Sequence, residues 1–278
     1  MTSDKITTVV DAAASEESGG SGWIMHHVLD GNVLEFPPFG NIPLPHIELF
    51  GIDISITRHV VFMWLAAIIL IAVFSVVSKA YKKSLVPRGV SNFVEVIIIF
   101  VRDEIAKTTI GKGYEKFLPY MLTVFFFILT CNFLGLIPYG ATATANISVT
   151  ATLAIMSFFV IQIGGIMKNG LFGYFKGLIP AGVPGWLFPI MAVVEVLGLF
   201  TKPFALAVRL FANLTAGHIV IAALIGLIFI LNTYYVAPVS IAFALFIYLL
   251  EILVALIQAY IFTMLSGLFI GMAVHQDH

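Results

Sequence analysis

The chain has 278 residues, of which 60% are hydrophobic and only 10% are charged, whereas a soluble domain carries about 25% charged residues. Its formal net charge is −1, and its single cysteine, Cys131, lies in an apolar run. This composition predicts an integral membrane protein, and it argues against a nucleic-acid partner, a disulfide framework and a thiolate metal site.

The first 56 residues differ in character from the rest of the chain. They contain acidic residues, glycines and four prolines between positions 37 and 45, which predicts loops and short elements rather than a membrane span. The acidic start is unlike a cleavable secretory signal. His26, His27 and His46 have no suitable carboxylate or cysteine cluster beside them, so no metal site is expected. We therefore predict an extramembrane N-terminal segment over 1–56 and a single helical membrane domain over 57–278.

The first membrane helix is predicted over Val60–Val77, an almost wholly apolar run bracketed by Arg58 and Lys79. At about 1.5 Å per residue this run approaches the roughly 30 Å of the hydrocarbon core.

Residues 79–116 hold eight lysines and arginines, yet apolar residues recur at helical spacing. This pattern predicts an amphipathic helix lying on the membrane surface. The apolar positions on which this prediction depends are Phe93, Val96, Ile97, Phe100, Val101 and Ile105.

Two further spans are predicted over Leu118–Ile137 and Val149–Met167, separated by the polar stretch 139–148. Ten of the fourteen lysines and arginines lie in 79–116 and 168–176, which an even number of crossings places on one side. By the positive-inside rule that side is cytoplasmic, with the N-terminus outside and the C-terminus inside.

The last two predicted helices, Leu187–Leu231 and Pro238–Val274, are unusually long. They would measure roughly 67 and 55 Å, about twice the hydrocarbon thickness, so we expect a steeply tilted antiparallel hairpin joined by Asn232–Ala237. Pro203 could supply a kink. The predicted fold class is an all-α integral membrane protein with about five crossing helices and one amphipathic surface helix.

Several polar residues fall inside this hairpin. Glu195, Lys202 and Arg209 are spaced by seven and seven, and Asn213 follows four later, so all four share one stripe of a helix. An ionisable group at membrane depth costs about 3 kcal/mol or more. Such residues are therefore functional candidates.

Glu251 and Gln258 repeat the seven-residue spacing on the second helix, which predicts a polar seam between the two helices. Arg209 cannot release its proton, so it suits a fixed electrostatic gate. His218, Glu195 and Glu251 can change protonation and suit a proton relay.

Structural explanations compete with these roles. Arg209 could form a packing ion pair with Glu195 or Glu251, and His218 could be an interhelical hydrogen-bonding residue. Lys202 is best interpreted as snorkelling toward the cytoplasmic interface, so we do not assign it to the site.

Three blocks carry a family resemblance. Residues 201–220, TKPFALAVRLFANLTAGHIV, and 248–273, YLLEILVALIQAYIFTMLSGLFIGMA, resemble subunit a of F-type ATP synthases in order and separation. Residues 131–138, CNFLGLIP, are similar to a third block of that family. The resemblance covers about 45–274.

The resemblance implies roles for six residues. These are Arg209 as the essential arginine, Asn213 and Gln258 as its polar neighbours, Glu195 in the cytoplasmic half-channel, and His218 with Glu251 as the relay pair of the outer half-channel. In the enterobacterial pattern the glutamate and histidine are exchanged, which preserves one imidazole and one carboxylate. The aspartate that some members carry in the third block is Gly135 here, with Asn132 upstream.

The implied function is that of the stationary, proton-translocating membrane subunit of a rotary ATP synthase. Implied partners are a ring of c subunits, b-type peripheral stalk subunits, the remaining synthase subunits and the lipid bilayer, in a bacterial inner membrane. We expect no cofactor, no metal and no catalytic chemistry in the chain itself, which lacks a phosphate-binding glycine-rich loop. The alternatives are a self-contained proton-coupled transporter or channel, and a structural membrane scaffold.

Overall fold

The structure is a computed structural model, and it describes residues 33–36, 40–43, 45, 48–49, 52–53, 55–83, 89–137, 140–177, 187–231 and 235–276. Within these ranges, five helices are long and apolar enough to cross a membrane. The predicted all-α membrane fold is thereby confirmed. His26, His27 and His46 lie outside the described residues.

Four short strands lie among the described residues of the N-terminal segment. Strand β1 (Val33–Phe36) pairs antiparallel with β2 (Gly40–Pro43), with Val33 opposite Pro43. Strand β3 (Glu48–Leu49) pairs in the same way with β4 (Ile52–Asp53). The composition of this segment predicted short elements of this kind without locating them.

Helix α1 spans Arg58–Lys83 and is 26 residues long, so it extends beyond the predicted run at both ends. The lysines near its C-terminal end do not terminate it, because their aliphatic stems can cover apolar surface while the ammonium groups reach water.

The predicted surface helix is observed as three consecutive segments. These are α2 (Val90–Phe100), a π-helix over Val101–Ala106, and α3 (Lys107–Ile110). A π-helical turn contains an extra residue and so rotates the direction in which all later side chains of the helix point. Phe93 and Val96 are 66% and 57% exposed, whereas Val101 and Ile105 are fully buried. The helix that the sequence predicted here is thus interrupted by a π-helical stretch, and its apolar residues occupy two different faces.

The next two spans closely match the prediction. Helix α4 covers Leu118–Leu136, and α5 covers Ile147–Asn169 after a short 3-10 turn at Ala143–Ala145. Asn146 caps α5, because its side chain accepts a hydrogen bond from the Ser148 amide at 2.8 Å. Such a cap satisfies one of the unpaired amides of the first turn.

A short helix, α6 (Leu171–Gly177), follows α5 after Gly170, in a segment that the sequence analysis treated as a basic loop. Gly170 has a φ of 71°, a left-handed conformation that glycine adopts without steric cost. The chain therefore reverses there and continues helically.

Helix α7 covers Phe188–Leu231 in 44 residues, and α8 covers Ala237–Val274 in 38 residues. Together they form the long C-terminal hairpin. Helix α7 continues through Pro203. At lengths of roughly 66 and 57 Å, both helices must cross a hydrocarbon core of about 30 Å obliquely.

The chain forms two compact units, one comprising 1–61 with 213–254 and the other comprising 62–212 with 255–278. In the second unit the backbone of α8 approaches α3 closely at Gly267 and Gly271. A Cβ at Gly271 would overlap the Thr109 carbonyl, and one at Gly267 would lie 2.6 Å from the Met121 Cε atom. Small residues at this spacing allow close helix packing.

Candidate functional site

The first candidate centre is formed by His218 of α7 and Glu251 of α8, both in the unit that contains 213–254. The His218 Nδ1 atom lies 3.5 Å from the Glu251 Oε1 atom. Glu251 is only 4% exposed, and neither of its carboxylate oxygens accepts a hydrogen bond from the described residues. The approach is thus an ion-pair distance rather than a formed hydrogen bond.

Gly217 provides the space for this carboxylate. A Cβ atom at Gly217 would lie 2.8 Å from Glu251 Oε1, 3.1 Å from Cδ and 3.4 Å from Cγ. Glu251 therefore packs directly against the backbone of α7, one residue before His218. Gly217 could not be identified from the sequence, because a glycine inside an apolar helix has no spacing or motif that marks it as functional.

A second imidazole belongs to the same unit. His59, in the first turn of α1, is 4% exposed and lies within electrostatic range of His218. His59 could not be singled out from the sequence, because it lies at the polar end of a predicted span, where a histidine gives no functional signal.

Arg209 lies in the other unit and is exposed on α7. Its exposed neighbours on the same helix face are the small residues Ala205 and Ala212 and, one turn further on, the polar Asn213. Among the residues that the structure describes, no salt bridge to Arg209 is formed. The packing ion pair considered as an alternative therefore has no support there.

Asn213 is also exposed on α7, whereas Gln258 of α8 is 3% exposed. One turn before Gln258, the carbonyl of Ala255 accepts a hydrogen bond from Asn132 Nδ2 at 3.1 Å. The Asn132 Oδ1 atom in turn accepts one from the Thr144 hydroxyl at 2.6 Å. This buried network fixes α8 against α4 and satisfies its own polar groups.

Gly135 stands where some family members carry an aspartate. A Cβ at Gly135 would overlap the side chain of Thr142 and lie 2.7 Å from the Thr142 Cα atom. The loop before α5 therefore occupies the space that a longer side chain would need. No carboxylate could be placed at this position without moving the backbone.

Glu195 lines a cavity of about 300 Å³ in the second unit. This volume holds several water molecules, since each occupies about 30 Å³ in the liquid. Pro203 and Leu199 also line it, and the proline ring removes the amide that would bond to the Leu199 carbonyl. Polar groups for binding water come from six side chains: Gln162, Tyr174, Glu195, Lys202, His275 and Gln276.

Lys202 is predicted to snorkel toward the cytoplasmic interface. In the structure its Nζ atom lies 5.5 Å from the centre of the Phe269 ring, a cation–π arrangement, on the wall of the same cavity. It thus belongs to the surroundings of Glu195.

The end of the chain closes one side of this cavity. The Asn169 amide donates to the Ala273 carbonyl at 3.0 Å, and the Gln276 amide donates to the Tyr174 carbonyl at 3.2 Å. Burial raises the pKa of the Tyr174 phenol, so this ring remains a neutral wall of the cavity. These contacts join residues about 100 positions apart, which no local pattern could predict.

The structure thus defines a helical membrane protein with an exposed arginine, Arg209, on a long helix, and with titratable groups both at the His218–Glu251 centre and in the cavity lined by Glu195. The family model described as ATP synthase A chain matches residues 60–271.

Several relatives named ATP synthase subunit a are also similar to this chain in sequence. The protein from Chloroherpeton thalassium is 58% identical over 91% of this chain and 77% of its own length. One from Chlorobaculum tepidum, named ATP synthase subunit a 2, is 55% identical over 96% and 76%. One from an Anaeromyxobacter species is 49% identical over 96% and 73%.

The chain therefore belongs to the ATP synthase A chain family. As a member, it is an integral membrane, non-catalytic subunit with a proton-translocating role in the membrane sector of an ATP synthase.

Proposed function

We propose that this chain is the stationary subunit that provides two offset half-channels and a fixed arginine gate to a rotating ring of c subunits, each with a membrane-buried carboxylate. The observation that carries the proposal is the placement of Arg209, an exposed cation on α7 with the small exposed residues Ala205 and Ala212 one turn on either side.

A guanidinium facing lipid at membrane depth costs about 3 kcal/mol or more. The cost falls if an anionic group of another protein meets the charge. Ala205 and Ala212 lie one turn on either side of Arg209, and small residues let a partner helix approach closely. A carboxylate on an apolar partner helix fits this surface in shape and charge.

The outer half-channel would be served by His218 and Glu251. Both side chains can gain and lose a proton, and their polar atoms are 3.5 Å apart. A proton entering from outside would pass through this pair to a ring carboxylate, which becomes neutral and can then enter lipid at low cost.

The cytoplasmic half-channel would be the cavity lined by Glu195. Its polar lining can hold water within a segment that is otherwise apolar, and irregular or hydrated features at membrane depth are tolerated where they line such a cavity. A ring carboxylate arriving beside Arg209 would ionise in the field of the cation, and its proton would leave through this cavity.

The gate matters because each proton carries little energy. One charge crossing 100 mV yields about 2.3 kcal/mol, so several crossings must be coupled to one synthesis event. A proton passing directly between the half-channels would bypass the rotor. A permanent cation opposes that passage electrostatically, and Asn213 and Gln258 would be its polar neighbours.

By the distribution of lysine and arginine, the N-terminus would lie outside and the C-terminus in the cytoplasm of a bacterial inner membrane. The other partners would be b-type peripheral stalk subunits and the remaining synthase subunits. These placements rest on the charge distribution and the family resemblance.

The test is Arg209→Ala in the assembled synthase, studied in inverted membrane vesicles. We expect ATP-driven acidification to be lost and passive proton permeability to rise, because the barrier between the half-channels is removed. Arg102→Ala is the matched control, since Arg102 is an arginine of the π-helix, outside the five candidate spans. Normal coupled pumping by Arg209→Ala would refute the proposed gate.

A further inference from the structure

His275 follows directly after α8 and lines the cavity that contains Glu195. Its Nε2 atom lies 3.0 Å from the Lys112 carbonyl oxygen. The side chain is exposed, so it contacts both the cavity and the bulk solvent.

The contact with Lys112 determines which ring nitrogen is available. A backbone carbonyl only accepts hydrogen bonds, so the Nε2 atom must carry a hydrogen and donate it. When the ring is neutral, the Nδ1 atom is then the unprotonated nitrogen. His275 can bind and release a proton at Nδ1 while the bond from Nε2 remains intact, so the ring keeps its orientation through the cycle.

We infer that His275 is a second proton-exchanging residue of this cavity, passing protons between Glu195 and the solvent at the cytoplasmic side. The inference rests on the proposed function, in which the cavity is the cytoplasmic half-channel. It adds a residue that neither the family resemblance nor the spacing of the helical polar residues identifies.

The transfer is balanced in protons and charge. The protonated Glu195 carboxyl gives its proton through cavity water to Nδ1, which leaves a carboxylate and an imidazolium. The imidazolium then loses the Nδ1 proton to bulk water or buffer and becomes neutral again. Histidine suits this step because its type titrates near neutral pH.

The charged and titratable groups around His275 come from three parts of the chain. Glu195 and Lys202 lie on α7, Tyr174 lies on α6, and Lys112, whose backbone carbonyl contacts the ring, belongs to the turn after α3. The carboxylate of Glu195 attracts a positive charge in this cavity, whereas the ammonium group of Lys202 opposes one.

A structural role is the competing explanation, because the bond to Lys112 also anchors the chain end. His275→Gln separates the two roles. The glutamine amide can still donate to the Lys112 carbonyl, but it cannot carry an extra proton. Asn169→Ala is the control, since it removes the bond to Ala273 and leaves every titratable group and every polar side chain of the cavity lining in place.

The assay measures passive proton flux through the membrane sector in inverted vesicles freed of the catalytic sector, at low buffer concentration. We expect His275→Gln to lower the flux roughly tenfold, a modest loss for removal of an acid–base group because water can partly replace it. Added imidazole should restore the flux. The dependence of flux on external pH should also change, because an acid–base group has been removed from the path.

Asn169→Ala should lower the amount of assembled complex without changing the pH profile per complex. Wild-type flux with an unchanged profile in His275→Gln would overturn the inference, as would a loss that imidazole does not restore. If the glutamine variant does not assemble, His275→Asn takes its place, and failure of both to assemble would establish a structural role instead. Coupled pumping by Arg209→Ala would refute the gate independently of these results.

Discussion

The closest contact at the His218–Glu251 centre involves a glycine, and it provides the sharpest test of the geometry. A methyl group at Gly217 would lie 2.8 Å from the Glu251 Oε1 atom. Ordinary contacts between non-bonded heavy atoms are about 3.5 Å or longer. Gly217→Ala must therefore push the carboxylate by more than half an ångström, or move the two helices apart.

The cost of this overlap can be estimated. Overpacking a buried site destabilises a protein by about 1–3 kcal/mol, partly offset by about 1 kcal/mol because alanine favours a helix over glycine. The effect on proton transfer should be larger, since a misplacement of about 1 Å can reduce a reaction about a hundredfold. We expect Gly217→Ala to assemble and to lower proton flux by roughly tenfold or more.

The assay is again passive flux in inverted vesicles, normalised to the amount of assembled complex. Gly198→Ala is the matched control, because it lies on the same helix and its Cβ would be 4.0 Å from Glu195 Oε2, an ordinary contact. Wild-type flux per complex in Gly217→Ala would refute the argument that this glycine sets the position of Glu251. A similar loss in Gly198→Ala would show a general effect on the helix.

Two further substitutions test features outside this centre. Gly135→Asp should destabilise the subunit by about 1–3 kcal/mol or more, because the new side chain meets the backbone of Thr142. The measurement is the midpoint of thermal unfolding, which should fall. An unchanged midpoint would contradict the close approach of Thr142 to Gly135. The pKa of Asp103 is lowered, first by its hydrogen bond from Arg102 and then by that from Lys107. The ionised carboxylate therefore stabilises the folded chain above about pH 4, the ordinary pKa of a carboxyl group. This stabilisation is lost as the pH falls through the lowered pKa of the folded state. The unfolding midpoint of Asp103→Asn should therefore lie below that of the wild type at pH 7 and converge with it below about pH 4, and a constant difference would contradict the ion pair.

The membrane spans could be predicted because hydrocarbon thickness imposes a length and a composition on each helix. The predicted Leu118–Ile137 and Val149–Met167 differ from α4 and α5 by at most two residues at each end. The π-helix at Val101–Ala106 was not predictable. That segment packs against α4, and tertiary packing of this kind can override the regular helical period.

The candidate site was predictable only where polar residues interrupt an apolar helix. Glu195 and Arg209 stood out by spacing, but the sequence could not distinguish the exposure of Arg209 from the burial of Gln258. Exposure depends on which helix face is covered by the rest of the chain. The contributions of Gly217 and His275 arise from contacts across the fold, and no spacing along one helix encodes such contacts.

Two carboxylates of this chain are held in place in different ways, one by hydrogen bonds from cations and the other by packing. Asp103, outside the candidate spans, receives hydrogen bonds from Arg102 at 2.8 and 3.0 Å, and its pKa is lowered accordingly. Glu251 accepts no hydrogen bond from the described residues and is instead held by packing against Gly217. Strong donors fix a carboxylate in its ionised form. A carboxylate that must take up and release protons therefore has to be positioned by shape, and the glycine supplies that shape without biasing the charge.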